Sequence, residues 1–269
     1  MQKITENVYV ENETSMCNCG IVVTGDGVVI IDTPMVPVNA KKLAAEVEKF
    51  GPIRYVINSE PHPDHIAGNC YMGGTLVAQD GARGMIRETQ VESITGMLQM
   101  MSPESLPLDS EFRFRTPDIT FSDKLTLYLG GHTFNLIHMP GHTPYSLAVH
   151  VPEERIVFTS DNINLNMAVF RDAIPDKWLE SLKKYRELDV DKVIPGHGAV
   201  CDKSCFTQMS NIIQSWLDVV GDAIKKGLSL EQTLEEVPKA EMFKQMGGES
   251  PVPGFLNMNI ERLYEILKK

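Results

Sequence analysis

Short apolar runs alternate with helical stretches along the whole of this chain. The segment "IVVTGDGVVIIDT", residues 21–33, holds two apolar runs about Gly25-Asp26-Gly27, a turn signal that predicts a hairpin of two paired strands. Residues 39–50 place Leu43, Val47 and Phe50 on one helical face, and Gly51-Pro52 stand where such a helix stops. "IRYVIN" (53–58) reads as a strand of the buried kind and "TLVAQ" (75–79) as the next one. Residues 81 to about 101 read as one helix, and 102–118, with three prolines, as irregular.

The second half returns to strands: "ITF", "KLTLYLG", "HTFNLIHM", "SLAVHV" and "RIVFTS", parted by Gly, Pro, Asp and Asn. A helix over "DKWLESLKKYRELD" (176–189), a short strand "KVI" (192–194) and helices over 202–226 and 254–268 complete the chain. Ile260, Leu263, Ile266 and Leu267 form the apolar stripe of the last helix. Each half thus runs from strands through helix and strand to helix. That order predicts an α/β fold of two packed sheets with helices outside, a single domain over 1–269 with C-terminal helices from about 202.

A length of 269 residues at 42% hydrophobic is ample for a large core, so disorder is not a serious option. Lys plus Arg total 25 against 36 Asp plus Glu, a net charge of -11 that repels phosphate backbones and anionic membrane surfaces. Nucleic acid and membrane are therefore set aside as partners. Bound divalent cations would reverse the potential locally, which keeps a small-molecule substrate, even an anionic one, in view. The start "MQKITENVYVENE" lacks the features of a signal peptide, and no apolar run approaches the ~18 residues of a membrane span, so the expected location is cytoplasmic. Five cysteines, an odd number, fit a reducing compartment. The pairs Cys17/Cys19 and Cys201/Cys205 lack the usual zinc-site spacing and read as ordinary thiols. The oligomeric state stays open, a homo-oligomer included.

The chemistry gathers at strand ends. "INSEPHPDH" (57–65) packs Glu60, His62, Asp64 and His65 directly behind a strand. Glu60 and His62, two apart in an extended turn, aim to one side, while Asp64 and His65 open the following helix and face another. Such a layout feeds two metal ions. Each ion needs four or more donors, so ligands must come from elsewhere. His142 in "MPGHTPYS" and His197 in "IPGHG" both follow Pro-Gly after a strand, and Asp161 in "VFTSDN" also ends a strand. The glycine before each histidine is expected to let the backbone turn sharply and approach a metal. His132, His138 and His150 lie inside strand patterns and read as strand residues. Tyr145 has two readings, a group polarising a substrate oxygen and a packing aromatic. Met85, Met97, Met100 and Met101, with Leu98, likewise read either as a channel lining or as core. In "NINLNMAVFRDAIP" (162–175), Met167 and Phe170 are expected to face a pocket.

Together these motifs resemble those of the metallo-β-lactamase superfamily of metal-dependent hydrolases. The likeness runs from "NVYVEN" through "GVVIIDT", the 60–65 motif, "PGHTPYS", "FTSD" and "PGHG", about residues 5–200 in the right order. The resemblance implies a four-layer αββα sandwich holding two metals at one edge. Glu60, His62 and His142 would bind the first metal and Asp64, His65 and His197 the second. Asp161 would bridge, and Asp32 in "IIDT" would support the ligands from behind. It further implies a hydrolase in which a hydroxide bridging two cations about 3.5–4 Å apart attacks an ester, lactone, thioester or amide. Asp64 would accept or pass the proton.

Glu60 departs from the family pattern, which has histidine first. A carboxylate there makes the first site harder, so iron or manganese stand beside zinc as the divalent pair. Flavodiiron oxygen reductases place a glutamate at the middle of this motif, and a minority of β-lactamases place one first. No flavin-domain sequence follows in this chain. A redox diiron enzyme, a β-lactam hydrolase and a binding protein with a degenerate site are the alternatives.

Overall fold

The computed structural model describes residues 1–13, 16–165, 167–239 and 254–268. Within residues 202–269, the stretch 240–253 and Lys269 lie outside that description.

Alternation of apolar side chains builds two sheets. The first contains β1 (Gln2–Lys3), β2 (Val8–Glu11), β3 (Cys19–Thr24), β4 (Gly27–Ile31), β5 (Ile53–Ile57), β6 (Thr75–Gln79) and β7 (Ile119–Phe121), side by side in chain order. β1 to β4 pair antiparallel and β4 to β7 parallel. The second holds β8 (Lys124–Leu129), β9 (His132–His138), β10 (Leu147–Val151), β11 (Ile156–Phe158) and β12 (Lys192–Ile194), in the order β12-β11-β10-β9-β8. Only β11 and β12 run parallel there. The predicted hairpin is present, with Gly25 and Asp26 between the partners Thr24 and Gly27. Gly27 has φ +126°, a conformation open to glycine.

Neighbouring residues on each strand serve opposite layers, because side chains alternate faces. Val29 and Ile31 of β4, Ile57 of β5 and Val77 of β6 meet Leu147, Val149, Ile156 and Phe158 of the second sheet in a core between the sheets. Val28, Ile30, Val56 and Leu76 point the other way, onto Ala40, Leu43 and Val47 of α1 (Pro37–Val47). Ala148, Val157 and Val193 likewise face an outer layer. It contains Trp178, Leu182 and Tyr185 of α5 (Pro175–Glu187), Phe206, Met209 and Ile213 of α6 (Ser204–Lys225), and Ile260 and Leu263 of the C-terminal helix (Phe255–Leu267). The architecture is the αββα sandwich. Among the described residues no helix is long and apolar enough to cross a membrane.

Several local expectations change. The stretch 81–101 is two helices, α3 (Asp80–Glu88) and α4 (Glu92–Met101), because the chain is extended at Thr89 (ψ 125°). Of the methionine stripe, Met97 packs with buried Ile94 and Leu98, while Met100 is 78% exposed and the side chain of Met101 lies outside the description. Phe50 is 41% exposed, since α1 ends at Val47 and the ring stacks on Tyr9 beyond the helix. Leu267, at the end of its helix, is exposed too, and the buried face is made by Asn259, Ile260, Leu263 and Tyr264. A further helix, Leu230–Glu236, opens with a reciprocal cap between Ser229 and Gln232 that the reading of the sequence passed over. No disulfide joins any of the five cysteines; Cys17 and Cys19 pack under α1, whereas Cys205 lies in the helical layer of the second sheet.

The site lies at one edge because the strands end there together. β4, β5 and β6 are parallel, so their carboxyl ends share a side. β9 and β11 both pair antiparallel with β10, and β12 runs parallel to β11, so these three also end together. Backbone bonds from Leu147 to Ser59 (2.9 Å) and from Asn18 to Gly196 (2.7 Å) join the two sheets at this edge.

Candidate metal centre

Every candidate ligand is held by a turn that follows a strand. After β5 the chain bends at Ser59 and Glu60 and reaches His62, whose backbone is extended and which precedes the single-turn helix α2 (Pro63–Ile66). Pro63 opens this turn, where its missing N–H costs nothing, and Asp64 follows in the first turn. Beneath it, Asn58 and Asn69 exchange side-chain amide hydrogen bonds of 2.9 and 3.1 Å. Asp32, directly after β4, takes φ +59°, a strained conformation for a residue with a side chain. That torsion turns its carboxylate to accept from the Ser59 backbone N–H (2.7 Å) and from His65 Nδ1 (2.9 Å). Ser160, beside Asp161, has φ +55°.

These turns bring all seven predicted ligands together. Ligand atoms of Glu60, His62 and His142 lie within 4.8 Å of one another, as do those of Asp64, His65 and His197, and those of Glu60, His65 and Asp161. His142 Nε2 is 3.2 Å from His62 Nδ1, and His197 Nε2 lies 3.2 Å from Asp64 Oδ2 and 3.3 Å from Asp161 Oδ2. His132 and His138 stand apart, bonded to Glu154 (2.8 Å) and to the Pro144 carbonyl (2.8 Å).

The outer nitrogens of the four imidazoles reveal the purpose of the arrangement. His142 Nδ1 faces the Val169 carbonyl (3.2 Å) and His197 Nδ1 the Met16 carbonyl (2.7 Å). His65 Nδ1 faces the Asp32 carboxylate, and His62 Nε2 the Asp172 carboxylate (3.0 Å). Carbonyls and carboxylates only accept, so each outer nitrogen donates. A neutral imidazole is then left with its lone pair on the inner nitrogen, aimed at the cluster. Buried Glu60 Oε2, His65 Nε2 and Asp161 Oδ1 make no well-formed hydrogen bond among the described residues, the nitrogen standing 3.3–3.4 Å from Glu60 Oε1 and Asp161 Oδ1. Unpaired buried polar atoms are costly, and three converging on one spot are explained by an ion that joins them. The donors, three carboxylates and four imidazoles, suit divalent cations.

Electrostatics agree. Burial pushes the Glu60 carboxyl up, but the imidazoles of His62, His142 and His65 hold it below its ordinary range. Asp161 is likewise held low against burial by His197 and His65, and Asp64 by His65 and His197. Burial lowers His62, yet Glu60 and Asp172 raise it to about 10; burial also opposes His197, which Asp161 and Asp64 raise to about 11. Only His142 falls, because burial outweighs its carboxylate neighbours. The cluster attracts positive charge, and a cation arriving there competes with protons.

Two parts of the site escaped the sequence reading. Asp172 fixes the His62 ring while pairing with Arg171 (2.7 Å). Asn162 accepts from the His142 backbone N–H (2.9 Å) and donates to the Met139 carbonyl (2.7 Å). Both lie in the loop after Asp161, which also carries Met167 and Phe170. Phe170 does not face a pocket: it is fully buried, with its ring centroid 5.7 Å from those of Trp178 and Trp216, because the helical layer needs an aromatic there. Met167 is half-buried on that loop. The Tyr145 ring packs over Gly81, where an added Cβ would fall 2.1 Å from Cε1, which favours the packing role.

The glycines of the two Pro-Gly-His turns also act differently from expectation. Neither Gly141 nor Gly196 has a positive φ; they provide room. A Cβ on Gly196 would fall 1.9 Å from Asp161 Oδ1, and one on Gly141 2.3 Å from Asn162 Oδ1.

Fold and cluster together define a class of metal-binding α/β proteins. The family model of the metallo-beta-lactamase superfamily matches residues 13–197, and the chain belongs to that superfamily. Among characterised relatives, the linear primary-alkylsulfatase of Pseudomonas sp. (strain ATCC 19151) is 22% identical over 255 residues, covering 79% of this chain and 48% of that protein. A hydroxyacylglutathione hydrolase of Erythrobacter litoralis is 24% identical over 166 residues, covering 61% of this chain and 55% of that one. The chain thus spans about half the length of these relatives. Of solved structures, the inverting sec-alkylsulfatase Pisa1 from Pseudomonas sp. superposes with a TM-score of 0.76 at 16% identity, covering 98% of this chain and 49% of that one. A metallo-beta-lactamase family protein from Thermus thermophilus gives 0.71 at 14% identity, covering 99% and 94%.

Proposed function

We propose that this protein is a hydrolase with a dinuclear metal centre that cleaves an ester-type bond, an ester, lactone, thioester or amide, in a small molecule. The observation that carries the reading is the set of four imidazoles whose outer nitrogens donate to protein acceptors, so that their inner nitrogens meet three carboxylates. Glu60, His62 and His142 would hold one ion, Asp64, His65 and His197 the other, with Asp161 shared. Bound there, divalent ions supply a water activated near neutral pH and polarise the oxygen of the group under attack.

The remaining work belongs to side chains of this protein. Asp172 and Asp32 hold the His62 and His65 rings, and the Val169 and Met16 carbonyls those of His142 and His197. Asp64 is the most solvent-reaching carboxylate of the cluster, 22% exposed against 0% for Glu60 and 8% for Asp161. That position suits the carriage of a proton between the reacting group and water. The three carboxylates make iron and manganese as suitable as zinc, and for that reason a redox diiron enzyme is the second reading.

Relatives whose names include an alkylsulfatase and hydroxyacylglutathione hydrolases extend the substrates worth assaying. The test is elemental analysis of protein purified without chelators, followed by a panel of carboxylic ester, lactone, thioester, β-lactam and alkyl sulfate with the metal found. Hydrolysis of a panel member that stops on chelation and returns with the metal supports the reading. Two irons per chain with an oxygen-sensitive absorption band and no hydrolysis would favour the redox one.

A further inference from the structure

Asp161 and Glu60 both reach His65 and His142, although Glu60 Oε1 is nearest His62 Nδ1 (3.0 Å) and Asp161 Oδ2 nearest His197 Nε2 (3.3 Å). Asp161 sets Oδ1 3.4 Å from His65 Nε2 and Oδ2 3.7 Å from His142 Nε2. Glu60 sets Oε1 3.3 Å from His65 Nε2 and Oε2 3.8 Å from His142 Nε2. His142 and His65 belong to opposite triads, so each carboxylate spans both. Glu60 also stands in two of the three converging groups, once with His62 and His142 and once with His65 and Asp161.

A histidine at position 60 would present one inward lone pair and serve one ion, whereas a carboxylate presents two oxygens. Glu60 is fully buried, so water cannot satisfy it, and its Oε2 makes no well-formed hydrogen bond, nor do Asp161 Oδ1 and His65 Nε2 between the triads. We propose that Glu60 is a second bridging ligand, joining both ions in parallel with Asp161 and making this a doubly carboxylate-bridged centre for oxygen-preferring divalent cations. The inference rests on the two-ion reading above and adds a second coupling to the one through Asp161, which is the only carboxylate bridge a histidine at position 60 would leave. The first ion fixes both carboxylates, and the second meets ligands already in place. Filling is therefore cooperative, by a factor in the range of about 5- to 150-fold usual for coupled sites.

The test uses the metal-stripped full chain titrated with Mn(II) and followed by electron paramagnetic resonance, which distinguishes free ions, singly occupied and doubly occupied protein. At one equivalent the wild type is expected to divide between empty and doubly filled molecules. Glu60→His is expected to accumulate the singly filled form, and Glu60→Gln, which keeps the shape but offers one neutral oxygen, to do the same. Circular dichroism checks that each variant folds. Equal accumulation of the singly filled form by wild type and both variants would overturn the bridge while leaving the two-ion centre standing. Cooperative filling retained in Glu60→Gln would overturn it too. A wild type that takes up at most one Mn(II) would overturn the two-ion reading itself.

Discussion

The bond between His62 Nε2 and Asp172 Oδ2 leaves the Nδ1 lone pair as the donor aimed inward. Replacing Asp172 by asparagine removes a charge that orients the ring, without disturbing the core. We expect Asp172→Asn to weaken metal affinity about 10- to 100-fold, the usual effect of losing such a partner, with an unchanged circular dichroism spectrum. Competition against a chelator of known affinity measures it, and unchanged affinity would remove Asp172 from the account. The raised pKa values of His62, about 10, and His197, about 11, have a sign that can be tested. A histidine raised above its ordinary 6.5 stabilises the fold fully below that pH and loses the contribution as pH climbs through the folded value. Metal-stripped protein should therefore lose thermal stability between pH 6.5 and about 11. Cation affinity should rise over the same interval as those protons become easier to displace. A melting temperature of the stripped protein that is flat across that window would contradict the assignment.

Short elements carry the ligands, and their neighbours decide whether the ligands stay in place. Asn259, on the C-terminal helix, is 2% exposed and holds the loop after Asp161 through the Ala168 carbonyl (2.7 Å) and the Phe170 N–H (2.9 Å). That loop supplies both the Val169 carbonyl on His142 and the Asp172 carboxylate on His62. Asn259→Ala leaves these backbone groups unpaired, so it should cost about 1–3 kcal/mol and loosen metal binding together with stability. Thermal unfolding and retention of metal on dialysis read the two effects, and loss of stability with metal binding untouched would separate the helix from the site. Gly196→Ala makes a sharper case, because its Cβ would fall 1.9 Å from Asp161 Oδ1. We expect it to lose bound metal while the sheets remain, and metal content measured on the folded variant decides.

These elements also mark how far the sequence could be read. Strands and the ligand motif were legible because alternation, turn residues and the spacing of Glu60, His62, Asp64 and His65 are local signals. The inward Asn259 and the supporting Asp172 were not, since each is settled by packing between segments far apart in the chain. Asn259 meets its loop across 89 and 91 positions and Asp172 meets His62 across 110. A polar residue on an apolar helical stripe, and an acid in an otherwise apolar loop, were the faint signs of both.

Over the whole molecule a filled centre would act as a fastening between sheets. Glu60, His62, Asp64 and His65 follow strands of the first sheet, whereas His142, Asp161 and His197 follow strands of the second. Ions shared between the two groups bind only the folded state, and at 100 times the dissociation constant such binding adds about 2.7 kcal/mol. Chelation should accordingly lower the melting temperature by about 5–10 °C for a chain of this size, and re-addition of the metal should restore it. The net charge of -11 gives the exterior little attraction for polyanions, while cations bound at the cluster would make the edge of the sandwich locally positive. A small substrate with a polarised or anionic reacting group fits that contrast.

This edge is proposed to hold two ions and to hydrolyse an ester-type bond with them. Metal content per chain, measured on wild type and His62→Ala purified without chelators and paired with hydrolysis by the same samples, tests it most directly. Two divalent ions and turnover of a panel substrate are expected in the wild type, with turnover abolished and metal reduced in a His62→Ala that is still folded. Full activity in His62→Ala with its metal content unchanged would contradict it.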